Sequence, residues 1–370
     1  MVPVRNGDGG VKKLKTENIT AIIVNYRTAA LLPGLIGELL AERSVGRIVV
    51  ADNSGELSDS GALTAFPKVR LLDCGGNIGF GAAVNRAAEQ ALGRWLLLVN
   101  PDVRLLCGSL DRLREAAEKF DVPLVGPRFY WDDGQKFRLP PASGGAMSLD
   151  FFGQCAAAHD LDAALFAFNW LVRHERFWGA QVPFFEPFLS GACLLVDRRW
   201  FERRGESVFD ERFFLYFEDT DLAVRVMAGG KSPLCVPQAS VVHYYDQSPS
   251  PPEGVKMDLM GRGHGVFMTK YYDGPTPASP AASASAVVPV DLGTPDAPPF
   301  FAGEWEKADE GRFFEIAVTP HFVPFAQADA DEKGFQFPSD VWDRLSPGIY
   351  YGRLRSPIAG AKRIWRWKKI

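Results

Sequence analysis

A chain of 370 residues with 46% hydrophobic and 23% charged residues has the profile of a folded protein, long enough for one large domain and something smaller. Its formal net charge of −4 supplies no overall basic field, which argues against a nucleic acid partner. Five cysteines (Cys74, Cys107, Cys155, Cys193, Cys235), spread far apart without a C-x-x-C pair, suggest neither a zinc site nor a disulfide framework and fit a reducing cytoplasm.

Residues 1–18 form an N-terminal extension that carries Lys and Arg around no apolar stretch, unlike a signal peptide. No apolar run reaches the roughly 18 residues of a membrane span. The richest stretch, 151–170, is broken by Gln154, His159, Asp160 and Asp162. The expectation is a soluble or peripheral protein. Residues 20–26 (TAIIVNY) read as a buried strand opening into a loop, and 31–42 as a helix with an apolar stripe. Residues 47–51 (RIVVA) read as a second strand, stopped by the turn cluster Asp52-Asn53-Ser54-Gly55. A short strand over 69–73 precedes a glycine-rich segment, 75–81, and an alanine-rich helix, 82–92. A fourth strand, 95–99 (WLLLV), ends at Asn100-Pro101-Asp102, and another helix covers 108–120.

Near-continuous apolar strands alternating with helices predict an α/β fold, a mostly parallel sheet covered on both faces. Ligands of such sheets sit beyond the carboxyl ends of the strands, where the polar loops at Tyr26, Asp52 and Asn100 lie. Further on, 190–197 (SGACLLVD) reads as a strand approached through small residues. Residues 217–228 read as a helix opening on carboxylates, with Asp221 and Arg225 spaced i,i+4, and 240–245 carries His243. Residues 274–299 are rich in Pro, Ala and Ser and read as a linker. Residues 300–351 suggest a small β-rich module, whose aromatics form either a small core or a stacking surface, and the tail 361–370 is basic and tryptophan-rich.

Seven ordered motifs resemble the family-2 glycosyltransferases, especially rhamnosyltransferase-like and galactofuranosyltransferase-like bacterial members. They are IIVNYRT at 22–28, ADNSG at 51–55, GGNIGFGAAVNRA at 75–87, LLVNPDV at 97–103, FLSGACLLVDRRWFERRG at 188–205, FFLYFEDTDLAVRV at 213–226 and HYYDQS at 243–248. The resemblance covers about residues 19–272. It implies a GT-A (Rossmann-like) domain over 19–273, followed by the linker 274–299 and a C-terminal module over 300–370. It also implies inverting transfer of a sugar from a dTDP- or UDP-linked donor, such as dTDP-rhamnose, to a hydroxyl of a growing or lipid-linked cell-surface glycan.

The chemistry assigns candidate roles. Asn25, Tyr26 and Arg27 flank a nucleoside with backbone and an aromatic face, and Asp52 either accepts from the base or ribose or only forms its own turn. The resemblance places Asn77 and Gly79 near the donor, with Asn85 and Arg86 further along the helix. Asn100-Pro101-Asp102 stands where many GT-A enzymes carry Asp-x-Asp, so that Asn100 replaces the first carboxylate. Asp102 remains a ligand for a divalent cation, Mg2+ or Mn2+, and the resemblance makes His243 the second ligand. An inverting transfer needs one base. Asp219 matches the family's base with Glu218 as the fallback, against the plainer account that acidic residues offset a helix dipole. Ser190, Gly191 and Ala192 border the acceptor or merely admit the strand.

Residues 151–178 read as a buried helix, with contact to a lipid-linked acceptor as the alternative. The tail, with Trp365 and Trp367, is a candidate for peripheral contact with the inner face of the membrane. Two other functions remain open at this stage: a sugar nucleotidyltransferase, and a non-catalytic nucleotide- or carbohydrate-binding protein derived from a transferase.

Overall fold

The structure, a computed structural model, describes residues 19–57, 63, 65–144, 160–245, 247, 255–272, 288–303, 305, 311–356 and 360–370. The N-terminal extension 1–18, residues 151–159 of the apolar stretch, Ser248 and the expected linker as far as 287 lie outside the described residues.

The strands of the first sheet are β1 (Ile19–Asn25), β2 (Val45–Asp52), β3 (Val69–Asp73), β4 (Trp95–Val99), β5 (Val103–Leu105), β6 (Leu124–Tyr130), β7 (Phe184–Phe185), β8 (Cys193–Asp197) and β9 (Leu234–His243). They lie in the order β3-β2-β1-β4-β8-β6-β9-β5, with β7 also paired to β9. β3, β2, β1 and β4 are parallel, as the buried apolar runs predict, and β6 and β9 are parallel to each other. β8 runs antiparallel to both β4 and β6, and β5 antiparallel to β9. β5, β6, β7 and β9 are additions to the strands read from sequence.

The helices are α1 (Leu32–Ala41), α2 (Phe80–Glu89), α3 (Ser109–Phe120), α4 (Asp160–Gly179), α5 (Arg198–Glu202), α6 (Glu218–Ala228) and α7 (Val255–Tyr272). Period-two alternation divides each central strand between the two faces of the sheet. Ile19, Ala21, Ile23, Trp95, Leu97 and Val99 pack with Leu35, Leu39 and Leu113 of α1 and α3. Ile22, Leu96 and Leu98 pack on the other face with Ala83, Val84 and Ala87 of α2 and Leu222 and Val226 of α6. With both faces covered and β-branched side chains inside, burial of these strands is the main source of stability.

The C-terminal module is β-rich. It comprises β10 (Val290–Asp291), β11 (Phe300–Ala302), β12 (Phe313–Ala317), β13 (Ala326–Asp329), β14 (Gly334–Gln336), α8 (Ser339–Arg344), β15 (Gly348–Ser356) and β16 (Gly360–Lys369). Five of these strands form a sheet in the order β10-β16-β15-β12-β13, and β11 pairs with β14. The aromatics form a core: Phe301, Phe314, Phe335, Phe337, Trp342 and Trp367 pack together.

Three expectations are corrected. The tryptophans of the tail are not a membrane-facing pair, because the tail is a strand whose alternate side chains point inward, burying Trp365 to 7% and Trp367 to 0% exposure. The far end of the expected linker is structured, since Val290 and Asp291 pair in parallel with Trp365 and Arg366. Residues 151–178 are not a buried helix in their described part. α4 buries Trp170, His174 and Phe177 on one side while Leu165 and Phe168 on the other are 51% and 61% exposed. Its apolar residues exceed what one face can cover.

The module shares its core with the first sheet. Phe137, in the hairpin that follows β6, is buried among Phe314, Phe335 and Phe337. Arg138 and Gln327 exchange backbone hydrogen bonds of 2.7 and 3.0 Å. Across α4, the His174 ring lies 4.7 Å from that of Phe325, and Arg355 joins Glu175 at 2.9 Å and the buried Glu315 at 2.6 Å.

Candidate active site

The carboxyl ends of β1 to β4 carry the expected polar loops, held together by their own side chains. Asn25 is buried at the end of β1. Its amide donates to Asp52 at 3.2 Å and Glu56 at 2.9 Å, and its carbonyl accepts from the Thr28 hydroxyl at 2.9 Å. Asp52 Oδ1 accepts from the Ser54 and Gly55 amides, both at 3.1 Å, and Oδ2 from the Leu57 amide at 2.8 Å. Burial works to raise the Asp52 carboxyl, but these donors outweigh it and hold the group below the ordinary carboxylate range. Of the two readings of Asp52, the geometry displays the turn-forming one. Tyr26 and Arg27 face outward, with the guanidinium 5.4 Å from the Tyr26 ring centroid. Arg27 has φ +57, a left-handed backbone uncommon for a residue with a Cβ.

The glycine-rich segment is tied to this turn by Asn53, which sequence reasoning treated only as a turn former. Its carbonyl accepts the Ile78 amide at 3.0 Å and its amide donates to Asn77 at 2.9 Å. Asn77 in turn accepts from the Gly79 amide at 3.1 Å. Gly79 has φ +91, and a Cβ there would lie 2.7 Å from the Phe214 carbonyl oxygen. That oxygen accepts the Phe80 amide at 2.9 Å, so the first amide of α2 is satisfied by protein. The other two donor candidates on α2 also serve the fold. Asn85 clamps Phe209 by donating to its carbonyl at 2.9 Å and accepting its amide at 3.1 Å. Arg86 donates to the Cys74 carbonyl at 3.1 Å.

The loop 214–217 therefore leans on the glycine segment at one end and leads into α6 at the other. Tyr216 and Phe217 both have positive φ, +69 and +68, a strained pair immediately before Glu218. A Cβ on Gly263 of α7 would stand 2.6 Å from the Tyr216 carbonyl oxygen, so this glycine is what lets α7 seat against the strained turn.

α6 then opens on Glu218 and Asp219. Asp219 Oδ2 accepts the Gly191 amide at 3.1 Å, and Oδ1 accepts the Thr220 amide at 2.7 Å. Burial raises the Asp219 carboxyl, opposed by those hydrogen bonds. Burial also raises Glu218, and the neighbouring Asp219 charge raises it further. Glu218 Oε2 is buried without a hydrogen-bond partner. Burial weighs against charge on both carboxyls and the Asp219 charge weighs on Glu218 as well, while the Gly191 and Thr220 amides favour the charged form of Asp219. Asp221 is engaged elsewhere, with Arg225 at 2.8 Å, the Tyr271 hydroxyl at 2.8 Å and Lys270.

Gly191 and Ala192 link this acid pair to the end of β4, since the Asn100 amide donates to the Ala192 carbonyl at 2.9 Å. The Ser190 hydroxyl accepts from the Ala192 amide at 3.3 Å. Two residues past Asn100, Asp102 Oδ2 lies 3.4 Å from His243 Nε2, the two brought together because β5 pairs Val103 with His243. The His243 ring sits between Phe129 at 5.9 Å and Tyr245 at 5.2 Å. Burial works to raise the Asp102 carboxyl, and the hydrogen bond and charge of His243 outweigh it and keep the group below the ordinary range. An ionised oxygen beside an imidazole nitrogen is a donor set that suits Mn2+ or Mg2+. Among the described residues, no cluster of three His, Cys, Asp or Glu forms a protein-only metal cage.

Residues 20–205 match the family model described as Glycosyl transferase family 2. The chain is 32% identical over 250 residues to an N-acetylglucosaminyl-diphospho-decaprenol L-rhamnosyltransferase of Mycobacterium tuberculosis, a match covering 62% of this chain and 76% of that protein. It is 27% identical to the succinoglycan biosynthesis protein ExoO of Rhizobium meliloti, over 62% of this chain and 61% of that one. Among solved structures, a mannosyltransferase from Pyrobaculum calidifontis in complex with GDP-Man and Mn2+ aligns with a TM-score of 0.45 at 17% identity, over 70% of this chain and 66% of the other.

Proposed function

This chain belongs to glycosyl transferase family 2 and is a glycosyltransferase, and on that premise we propose that it transfers a rhamnosyl group with inversion from a nucleoside-diphosphate donor to a hydroxyl of a lipid-linked or growing cell-surface glycan. The single observation that supports the mechanism is the Gly191–Asp219 hydrogen bond, which ties one carboxylate to the segment whose Ala192 carbonyl accepts the Asn100 amide at the end of β4. The choice of rhamnose, of dTDP or UDP and of a lipid-linked acceptor rests on the mycobacterial relative and on the sequence motifs.

In the reaction, Asp219 takes the proton of the acceptor hydroxyl as that oxygen attacks the anomeric carbon. The bond from the anomeric carbon to the diphosphate oxygen breaks on the opposite face, and the nucleoside diphosphate leaves with the electron pair. In this reading Glu218, raised by burial and by the Asp219 charge, keeps the proton, and Asp219, whose charged form the Gly191 and Thr220 amides favour, acts as the base. Asp102 and His243 are the residues that would hold a divalent cation, which when bound offsets the negative charge of the departing diphosphate. Tyr26 and Arg27 flank the nucleoside, and Ser190, Gly191 and Ala192 border the acceptor. Asn25, Asp52, Asn53, Asn77 and Gly79 act on the donor side by fixing the shape of its loops.

Among the described residues no helix is long and apolar enough to cross a membrane. Peripheral contact with a lipid-linked acceptor at the inner face of the membrane is part of the proposal on the strength of the mycobacterial relative, without the two buried tail tryptophans. A thermal-shift screen of dTDP, UDP, GDP and their sugars, with and without Mn2+, tests the donor class, because a ligand bound only by the folded state raises the melting temperature. A shift with one pyrimidine diphosphate that grows with metal is expected. A shift with none of them would overturn the proposal.

A further inference from the structure

Tyr244 joins the C-terminal module to the Asp102–His243 pair. Its backbone is held on both sides: the Tyr244 amide donates to the Asp102 carbonyl at 3.1 Å, and its carbonyl accepts from Trp131 Nε1 at 3.1 Å. Its hydroxyl donates to Asp133 at 2.7 Å. Its ring carries two cations, Arg104 at 5.5 Å and, closer at 4.5 Å, Arg344. Arg344 ends α8 of the module, and its guanidinium also donates to the Trp131 carbonyl at 3.4 Å. Trp131 itself packs against the module's aromatic core. Arg344 and Trp131 thus grip the residue that follows His243, itself set opposite Val103 by strand pairing.

We propose that the C-terminal module is a positioning element for the diphosphate end of the donor site, acting through the contact of Arg344 and Trp131 with Tyr244 to hold His243 against Asp102. The proposal rests on the reading of Asp102 and His243 given above. Arg344 touches neither of them, so it acts as a positioning residue. A guanidinium over a tyrosine face contributes most when water is partly excluded, as it is at this junction. Supporting groups of this kind fix the orientation of a ligating imidazole and so tune affinity for the metal. The fold also explains why a family domain would carry a β-rich module: the hairpin that bears Trp131 and Phe137 is completed by the module's core.

The test uses the full chain with three substitutions, Arg344→Gln, Arg344→Lys and Trp131→Phe. Two quantities are read beside the melting temperature: hydrogen exchange of the peptide covering 241–245, and the affinity for Mn2+ in the presence of dTDP. Arg344→Gln and Trp131→Phe should each speed exchange at that peptide and weaken Mn2+ binding about fivefold, the first by losing a partly desolvated cation–π contact and the second by losing the indole hydrogen bond to the Tyr244 carbonyl. Arg344→Lys, which keeps a cation over the ring, should recover much of both. Unchanged exchange at 241–245 in both weakened variants would overturn the positioning role. So would a loss confined to the melting temperature, with Mn2+ affinity kept. A wild-type protein that binds no Mn2+ yet shows the faster exchange in the variants would overturn the metal reading and uphold the positioning of His243.

Discussion

The amide of Gly191 donates to the Asp219 carboxylate at 3.1 Å, and a Cβ at Gly191 would lie 3.3 Å from the Asp219 Cβ. The backbone of the β8 approach and the start of α6 thus meet at a distance that only glycine allows without displacement. Gly191→Ala is expected to shift Asp219 by a few tenths of an ångström. With about a hundredfold loss for a displacement of about 1 Å, a shift on this scale should lower kcat about threefold to tenfold while the melting temperature changes little. Steady-state kinetics with the donor identified by the thermal-shift screen measure it, and an unchanged kcat would detach Asp219 from the reaction.

Asp219→Asn removes the base but keeps a side chain able to accept the Gly191 amide. Turnover should fall by about two to four orders of magnitude. The thermal shift given by the nucleoside diphosphate should persist, because the donor-side loops do not depend on this carboxylate. Full activity in this variant would transfer the role of base to Glu218.

Glu218→Gln separates the two carboxyls by their pH behaviour. Burial raises the folded-state value of Glu218 above its unfolded value, so its contribution to stability is complete below the unfolded value and is lost as pH rises through the folded one. The variant, neutral at every pH, keeps what the wild type loses. The two proteins should melt at similar temperatures near about pH 4, the variant gaining on the wild type as pH rises above the ordinary glutamate range. A constant difference across that range would mean that Glu218 titrates normally.

Asp102→Asn and His243→Ala test the cation. Each should abolish the extra stabilisation that Mn2+ gives in the presence of the nucleoside diphosphate, while the shift from nucleotide alone remains. If Mn2+ still adds to the shift in both variants, the cation sits elsewhere.

Gly263→Ala tests the seat of α7. Alanine gains about 1 kcal/mol over glycine in helix propensity, but a Cβ 2.6 Å from the Tyr216 carbonyl oxygen costs about 1–3 kcal/mol as overpacking of a fixed backbone. The clash decides the sign, so a lower melting temperature is expected together with altered binding of the acceptor. A stabilised variant would show that the turn at Tyr216 and Phe217 can move freely.

The parallel half of the sheet was legible because its strands are buried on both faces and read as unbroken apolar runs. β5 was not, since three residues, Val103 to Leu105, carry no periodicity, and β6 was missed because Gly126, Pro127 and Arg128 interrupt its run. Asp102, His243, Gly191 and Asp219 were found through ordered motifs, and the structure brings them together in two pairs. What the motifs did not reveal was which polar side chains face a ligand and which hold the loop. Asn25, Asp52 and Asn85 spend their hydrogen-bonding capacity on the fold, an arrangement set by neighbours such as Glu56 and Phe209. Asn53, Tyr244 and Gly263 matter through contacts with residues distant in sequence, which no local pattern encodes. The tail shows the same limit. Its basic, aromatic composition suggested a surface, whereas alternation along a strand makes the tryptophans part of a core.

Phe137 belongs by chain position to the first sheet and by packing to the aromatic core of the module. The change in composition after residue 273 is therefore not expected to mark a boundary of cooperativity. A chain shortened at that point would expose the Phe137 ring and lose the backbone bonds between Arg138 and Gln327, so it should aggregate rather than behave as an independent catalytic fragment. In calorimetry the intact chain should melt as one unit, with a single heat-absorption peak in which neither half survives the other.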